Sequence, residues 1–451
     1  MTVATQQALV ERIWARDATV WTGADEDKWL GWLDEPKRMQ ERAGEISEFA
    51  ADARKKFDTF VLLGMGGSSL APEVLKRTFG AKQLHVLDTT HPAMIRHAEK
   101  SLDLGKTVFI VSSKSGGTLE TLSHFAYFWE KTDANGEQFV AITDPGSALE
   151  QLAKTRGMRV FAGEPTIGGR YSALSPFGIV PAALMGIDVN RLLGNGGRMA
   201  EACRGDANPG LQLGLQLGEG WRDGRDKVCI TETEGRFGLW AEQLIAESTG
   251  KQGKGLVPAP GESPEGPDRQ PAQVELADAS AIGAEFFRWE FAVAVAGAIL
   301  QINPFDQPDV QAAKDKTKEV LASGDDTSVE PEGSLDELLA NAEPPNYIAI
   351  QAFIDPMRES ELQPLINRGR ETGCVVTHGL GPRYLHSTGQ LHKGGPPTGL
   401  FVQVVDDTGD EIPIPGEDFG FGRLIRAQAE GDLRSLEERG RPIVRVRLED
   451  L

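Results

Sequence analysis

Cysteine is scarce in this chain, which has Cys203, Cys229 and Cys374 and no others among its 451 residues. An odd and low count excludes a disulfide framework, and no pair has metal-ligand spacing, so we expect no metal site. Long hydrophobic runs are also missing, because the longest, 291–300, falls short of the about 20 residues that span a bilayer. Residues 1–17 lack the apolar stretch of a signal peptide. These absences predict a cytoplasmic protein with no membrane partner.

The chain has fewer basic than acidic residues: 47 Lys and Arg, 67 Asp and Glu, and a net charge of −20. This balance argues against nucleic acid as a partner, because phosphate backbones select for Lys and Arg. It does not exclude a small anionic substrate, which needs only a local group of hydrogen-bond donors. The 52 glycines and 26 prolines follow no short period, which excludes a collagen-like chain.

The chain does contain short apolar runs that alternate with helix-like stretches. The runs 60–63, 84–87, 108–111 and 139–142 are each followed by Gly, Asp, Ser or Thr. This alternation predicts an α/β fold with a parallel sheet and a ligand site beyond the carboxyl ends of its strands. A second alternation starts at 227, and a long apolar helix is predicted at about 282–302. The predicted divisions are a helical extension over 1–56, parallel-sheet domains over 57–205 and 206–451, and an acidic linker around 323–346.

The turn after the first run is rich in glycine. Within 64–69, Gly67 and Ser68 stand where the backbone could approach an anion at a helix N-terminus. An ordinary tight turn fits this segment equally well. The spacing matches neither a dinucleotide-binding fingerprint nor a P-loop.

The turn after the third run, 112–121, is more specific. Hydroxyl groups crowd this turn at Ser113, Ser115 and Thr118, with glycines among them, and Lys114 adds a charge. Hydroxyls and helix amides of this kind can surround a phosphate monoester. The alternative is an ordinary helix cap with Glu120 in a capping box, and the hydroxyl density favours the phosphate site.

Three later residues are candidates for the chemistry, although each also has an ordinary structural explanation. Arg170 follows two glycines and could reach a cleft or lie at the surface. Glu247 shares a helical stripe with Trp240 and Leu244, where partial burial would suit a general base, or it could be a salt-bridged helix end. Lys314, taken alone, is best explained as a solvated lysine.

Histidines cluster in 377–395, which holds His378, His386 and His392 of the chain's 7 histidines. No accompanying set of ligands has a recognised metal spacing. Because histidine titrates near neutrality, a proton-transfer role is open to them.

Together these segments resemble the glucose-6-phosphate isomerase family of the sugar isomerase (SIS) superfamily over about 57–320. The matching segments are the glycine loop 64–72, the phosphate loop 113–121, the arginine motif 168–172, the base segment 246–251 and the Gln–Lys segment 303–314. From 384 onward the chain looks most like the isomerase half of bacterial transaldolase/glucose-6-phosphate isomerase fusions. No transaldolase activity is implied, since 1–56 has no room for the barrel of those fusions.

The resemblance implies two SIS-type, doubly wound, flavodoxin-like domains and reversible conversion of glucose 6-phosphate to fructose 6-phosphate through a cis-enediolate. It implies no cofactor, because only protons move. Glu247 would be the base, Arg170 would stabilise the enediolate, and His386 with Lys314 would open the sugar ring. The implied substrate-binding residues are Gly67, Ser68, Ser113, Lys114, Ser115, Gly116, Thr118 and Gln307.

One departure from the family pattern concerns the histidine. In the family it precedes the lysine in sequence and comes from the neighbouring subunit, whereas His386 follows Lys314. Its action within its own subunit or across a homodimer interface therefore stays open. Two alternative functions remain: an isomerase of another phosphosugar, such as mannose or amino sugar 6-phosphate, and a non-catalytic sugar-phosphate-binding regulator. The presence of Glu247 and the lack of a DNA-binding segment disfavour the regulator.

Overall fold

The computed structural model describes residues 2–231, 233, 235–323, 329–409 and 411–451, apart from the side chains of 312–314 and 323. Its helices are α1 (Val3–Trp14), α2 (Glu35–Lys56), α3 (Leu70–Phe79), α4 (Pro92–Ser101), α5 (Leu119–Lys131), α6 (Ala148–Thr155), α7 (Pro176–Leu184), α8 (Val189–Ala202), α9 (Pro209–Arg222), α10 (Gly238–Thr249), α11 (Ile282–Leu300), α12 (Gln311–Ser323), α13 (Leu335–Ala340), α14 (Gln363–Arg370), α15 (Gly389–Gly394) and α16 (Phe421–Glu437).

The first sheet has five parallel strands in the order β2-β1-β3-β4-β5. They are β1 (Thr59–Gly64), β2 (Leu84–Leu87), β3 (Thr107–Ser112), β4 (Phe139–Thr143) and β5 (Arg159–Ala162). This is the flavodoxin-like strand order. The four apolar runs of the sequence are strands β1 to β4, and the predicted parallel α/β fold is confirmed.

The later part of the chain has two further parallel sheets rather than one. A sheet ordered β7-β6-β8 is made of β6 (Lys227–Ile230), β7 (Val257–Pro260) and β8 (Arg269–Ala272). A sheet ordered β10-β9-β11-β12 is made of β9 (Tyr347–Phe353), β10 (Val375–Leu380), β11 (Gly399–Val405) and β12 (Ile443–Arg447).

The prolines of β7 explain this division. Val257 turns its N–H toward β6 and donates to the Asp226 carbonyl at 2.8 Å. Pro258 and Pro260 occupy the positions that alternate with Val257 along the strand. The backbone N–H of a residue at these positions would point to the opposite edge of β7, but proline has no N–H to donate. Strand β10 lies against that edge without a backbone ladder to β7.

Helix α11 forms the middle of the largest core cluster. It is apolar around most of its circumference and almost wholly buried, as expected for a helix enclosed by others. Helix α9 lies close against it because Gly210, Gly214 and Gly218 face α11 one turn apart. A Cβ at Gly214 would stand 2.6 Å from the Ala292 carbonyl oxygen, so larger side chains would force the two helices apart.

Within 323–346, helix α13 and a bridge between Glu332 and Arg445 give the second part of the predicted linker regular structure; residues 324–328 lie outside the described residues. Across the part of the chain that the structure describes, no helix combines the length and apolarity needed to cross a membrane.

Candidate active site

The glycine turn after β1 joins three parts of the candidate site. Gly66 has a φ of +53°, and a Cβ there would stand 2.4 Å from the carbonyl oxygen of His386. A Cβ at Gly67 would stand 2.1 Å from the carbonyl oxygen of Gly169. Only glycine permits this close packing, and it brings the His386 and Arg170 segments against one turn. Ser68 is buried, and its carbonyl accepts a hydrogen bond from Ser112 Oγ at 3.1 Å.

The hydroxyl turn lies between β3 and α5. Ser113 Oγ and Thr118 Oγ1 are 2.9 Å apart, and the Gly116 N–H donates to Ser113 Oγ at 3.1 Å. Thr118 is the N-cap of α5, but its side chain bonds to Ser113 instead of capping a helix amide. This differs from the ordinary capped helix considered as the alternative, and it keeps hydroxyls and helix amides together as donors for an anion.

Lys114, predicted to add a charge to this turn, is paired with a carboxylate. Its Nζ lies 2.7 and 2.6 Å from the two carboxylate oxygens of Asp144 and donates to the Glu164 carbonyl at 2.8 Å. Burial lowers the pKa of Lys114, and Asp144 opposes that shift. The positive charge that the sequence predicted for this turn is therefore already paired with Asp144 beside β4, and a part for Lys114 in substrate binding stays a prediction.

Arg170 is a buried side chain rather than a surface arginine. Its Nε donates to Ser248 Oγ at 2.8 Å, and Nη1 donates to Gln307 Oε1 at 2.9 Å. Nη2 donates to the carbonyls of Pro304 and Asp306 at 2.8 and 2.9 Å. The planar guanidinium thus links the base segment to the loop that carries Gln307.

Glu247 lies beside this guanidinium. Its Oε2 is 3.6 Å from Arg170 Nη1 and accepts a hydrogen bond from Gln243 Nε2 at 3.0 Å. The side chain of Glu247 is 14% exposed, so it can meet a ligand while its helix stripe is packed inside. The same Gln243 Nε2 donates to the His386 carbonyl at 2.9 Å, which ties the Glu247 helix to the histidine segment.

Lys251 is a member of the site that our reading of the sequence passed over. Its buried Nζ donates to the carbonyls of Asn303 and Asp306 and to Asp306 Oδ1 at 2.6–2.7 Å. Burial, with the nearby Arg170 charge, lowers the pKa of Lys251 to about 8. Lys251 and Arg170 together hold the 303–307 loop. The positive charge of Lys251 at the end of the base segment was the signal that could have identified it.

His386 reaches helix α5 within a single chain. It ends a short 3-10 helix, Arg383–His386, and its Nε2 lies 2.9 Å from Glu120 Oε1. Glu120 follows the hydroxyl turn, so the histidine stands close to the predicted phosphate site. Sequence analysis treated Glu120 only as a capping residue, because nothing local indicates a partner 266 positions away.

His392 and Lys314 are the remaining candidates for proton transfer. His392 is buried, with Nδ1 3.0 Å from Gln351 Nε2, and burial holds its pKa well below the usual range. This makes it a packed neutral side chain rather than a proton donor.

Lys314 lies in α12, but its side chain is outside the described residues.

One cleft combines parts of both halves of the chain. It is lined by the hydroxyl turn, the start of α5, three residues of α12 and the His386 segment, through residues that include Ser115, Thr118, Glu120, His386 and Gln428. No cluster of three or more His, Cys, Asp or Glu suited to a metal occurs among the described residues.

Comparison with known proteins matches the first part of the chain to one family. Residues 32–206 match the model of the family described as phosphoglucose isomerase. A glucose-6-phosphate isomerase of Carboxydothermus hydrogenoformans is 33% identical over 248 residues, 49% of this chain and 53% of that protein. One of Thermus thermophilus is 38% identical over 172 residues, 36% of this chain and 41% of that protein. The matches thus span about half the length of these relatives or less.

Solved structures support the fold over a longer stretch. A hypothetical protein of Thermus thermophilus aligns with 98% of this chain and 83% of its own, with a TM-score of 0.51 and 22% identity. A glucose-6-phosphate isomerase of Chlamydia trachomatis aligns with 71% of this chain and 86% of its own, with a TM-score of 0.59 and 20% identity. The family resemblance indicated by the sequence motifs is confirmed by the match of residues 32–206 to the phosphoglucose isomerase family.

Proposed function

We propose that this chain catalyses the reversible isomerisation of glucose 6-phosphate and fructose 6-phosphate through a cis-enediolate. The observation that carries the proposal is the placement of Glu247 beside Arg170, with Gln243 linking Glu247 to the His386 segment. A base, a cation for a developing oxyanion and a titratable imidazole are the groups that an aldose–ketose isomerisation needs.

The phosphate would bind at the hydroxyl turn. Ser113, Ser115 and Thr118 supply hydroxyls, and the start of α5 supplies amide donors and the positive end of a helix dipole. These local donors suffice in a chain of net charge −20, since distant surface charges are screened by salt. Gly67, Ser68, Gly116 and Gln307 remain proposed contacts for the substrate.

His386 would open the cyclic sugar together with Lys314. With Nε2 held by Glu120, Nδ1 is the ring nitrogen that can exchange a proton with the sugar. The carboxylate stabilises the imidazolium that forms when Nδ1 takes the proton of the anomeric hydroxyl. A proton is delivered to the ring oxygen as its bond to carbon 1 breaks and the aldehyde forms. The pair thus prepares the open-chain form on which the base acts.

Glu247 would then carry the proton between carbon 2 and carbon 1. In the forward direction it removes the carbon 2 proton of the open aldehyde and returns it to carbon 1 of the enediolate. Arg170 stands 3.6 Å from the carboxylate and would stabilise the negative charge that develops on the enediolate oxygens. Preorganised donors of this kind contribute about 3–4 kcal/mol to the transition state.

Conversion of fructose 6-phosphate by the purified chain tests the proposal. Formation of glucose 6-phosphate is followed by an NADP-linked assay, with and without a chelator, beside mannose 6-phosphate and glucosamine 6-phosphate. We expect turnover of fructose 6-phosphate in both conditions and a preference for it over the other sugars. A chain that leaves fructose 6-phosphate unchanged would contradict the proposal. Faster turnover of another phosphosugar would identify that sugar as the substrate instead.

The pairing of His386 with Glu120 within one chain supports a site built from a single chain. Activity per chain should therefore be independent of protein concentration across any monomer–dimer transition found by light scattering. A homodimer, a cytoplasmic location, a lack of nucleic-acid partners and the likeness of 384–451 to the fusion enzymes remain predictions.

A further inference from the structure

The C-terminal helix α16 contributes a side chain to the carboxylate that holds His386. Gln428 is buried, and its Nε2 donates to Glu120 Oε1 at 2.8 Å. Its own Oε1 accepts a hydrogen bond from Thr90 Oγ1 at 2.7 Å. Three segments that are remote in sequence, the loop after β2, α5 and α16, therefore meet around the Glu120 carboxylate.

The orientation of this amide follows from the chemistry of its neighbours. An ionised carboxylate can only accept hydrogen bonds, so Gln428 must face Glu120 with its NH2 group. The opposite, carbonyl end then faces Thr90, whose hydroxyl can donate to it. Both ends of the amide are thus occupied, and Gln428 is held in one rotational state.

The oxygen that Gln428 contacts is the same one that His386 contacts. His386 Nε2 lies 2.9 Å from Glu120 Oε1, and Gln428 Nε2 lies 2.8 Å from it. Two donors on one oxygen fix its position, and the direction of the imidazole depends on that position. Loss of Gln428 would let the carboxylate rotate and take the imidazole with it.

Helix α16 is itself firmly placed. The Gln403 side chain of β11 donates to its Ala429 carbonyl at 2.9 Å. One turn later the buried Asp432 bonds to Lys393 Nζ and to the Tyr384 hydroxyl, and Tyr384 belongs to the same short helix as His386. Gln428 is thus mounted on an element that already carries the histidine segment.

We propose that Gln428 is a positioning residue for ring opening: through Glu120 it sets the direction of His386 toward the sugar. This inference rests on the proposed isomerase function. It assigns to the C-terminal helix a part in the reaction that lies outside the family match, which ends at 206.

Exchange between the α and β anomers of glucose 6-phosphate isolates this step, because it requires ring opening but no proton transfer by Glu247. We would measure the exchange rate by magnetisation-transfer NMR, subtract the rate in buffer, and measure kcat and KM for isomerisation in parallel. The variants are Gln428→Met, which keeps the length but removes the donor, and Thr90→Val, which frees the far end of the amide. Gln403→Met is the matched control, a buried glutamine that also contacts α16.

Gln428→Met should lower catalysed anomer exchange by roughly 10- to 100-fold, in line with the cost of misplacing a catalytic group by about 1 Å. The KM for fructose 6-phosphate should change little, because the hydroxyl turn is untouched. Thr90→Val should lower exchange by less. Gln403→Met should lower the melting temperature without slowing exchange, and Glu247→Gln should stop isomerisation while exchange continues.

Wild-type exchange in Gln428→Met would overturn the inference, as would equal slowing in Gln428→Met and Gln403→Met, which would indicate only a loosened helix. A wild-type chain that fails to convert fructose 6-phosphate would overturn the proposed function, and the inference with it. The wild-type measurement therefore separates the two failures.

Discussion

Replacing Arg170 by lysine tests the site without removing its positive charge. The guanidinium makes four hydrogen bonds, to Ser248, Gln307 and the carbonyls of Pro304 and Asp306, besides its approach to Glu247. A lysine ammonium is a compact point charge that cannot reproduce this planar fork. The variant thus keeps the charge and loses the geometry.

The expected losses of stability and of kcat follow from the groups that the Arg170 guanidinium holds. The 2.8 and 2.9 Å bonds to the Pro304 and Asp306 carbonyls would be lost, and each buried group left without its donor costs about 1–3 kcal/mol of folding free energy. Lys251 still holds the Asp306 carbonyl, so the loss of stability should stay near the lower end. Loss of a preorganised donor to the enediolate should reduce kcat by roughly 100- to 1,000-fold.

The assay follows kcat and KM for fructose 6-phosphate together with urea unfolding. Arg191→Lys is the matched control, because Arg191 is an exposed arginine paired with Asp278 at the surface, where such pairs contribute about 0–1 kcal/mol. We expect a large fall in kcat for Arg170→Lys and none for Arg191→Lys. An Arg170→Lys variant that folds and keeps kcat within about threefold of wild type would refute the role of the fork, since a lost donor should cost far more.

Three further predictions follow from other parts of the site. Gly67→Ala should destabilise the chain and lower kcat, because the new Cβ would meet the Gly169 carbonyl at 2.1 Å; melting curves and kinetics would show it, and wild-type values would contradict it. Lys114→Met should lower the melting temperature yet leave KM for fructose 6-phosphate nearly unchanged, since its partner is Asp144; a large rise in KM would return Lys114 to the phosphate. The pKa of Lys251 is lowered from 10.5 to about 8, so between these pH values the unfolded chain binds the extra proton and the free energy of unfolding rises with pH. Urea unfolding at pH 7.5 and 9.5 should show a smaller rise for Lys251→Met than for wild type, and equal rises would contradict the lowered pKa.

The sequence predicted the parts of the site that depend on local order. Strands β1 and β3 end one residue after the apolar runs, and the glycine and hydroxyl turns lie at those strand ends. Parallel strands place such turns at one edge of the sheet, so the location of the turns required no long-range information. The long helix α11 was equally accessible, because its apolar sequence indicates a buried helix.

Contacts between remote segments could not be predicted in the same way. The pairing of His386 with Glu120 and the bonds of Lys251 to the 303–307 loop depend on how the two halves of the chain pack. The partner of Lys114 was also missed: a positive charge in a glycine-rich turn suggests an anion, whereas Asp144, just after the neighbouring strand, pairs with it. The later strands form two sheets because two prolines of β7 fall at positions whose backbone faces β10. A pattern of apolar residues does not reveal which edge of a strand a proline faces.

Turnover of Glu247→Gln with fructose 6-phosphate tests the central claim most directly. The amide keeps the shape of the side chain and removes its ability to take a proton, and general bases contribute about 10²–10⁴-fold to the rate. Glu242→Gln on the same helix is the control, and binding of an open-chain sugar-acid phosphate shows whether the site is intact. We predict that Glu247→Gln binds this ligand and loses turnover by at least about 100-fold, while Glu242→Gln retains it; near-normal turnover in Glu247→Gln would contradict the account.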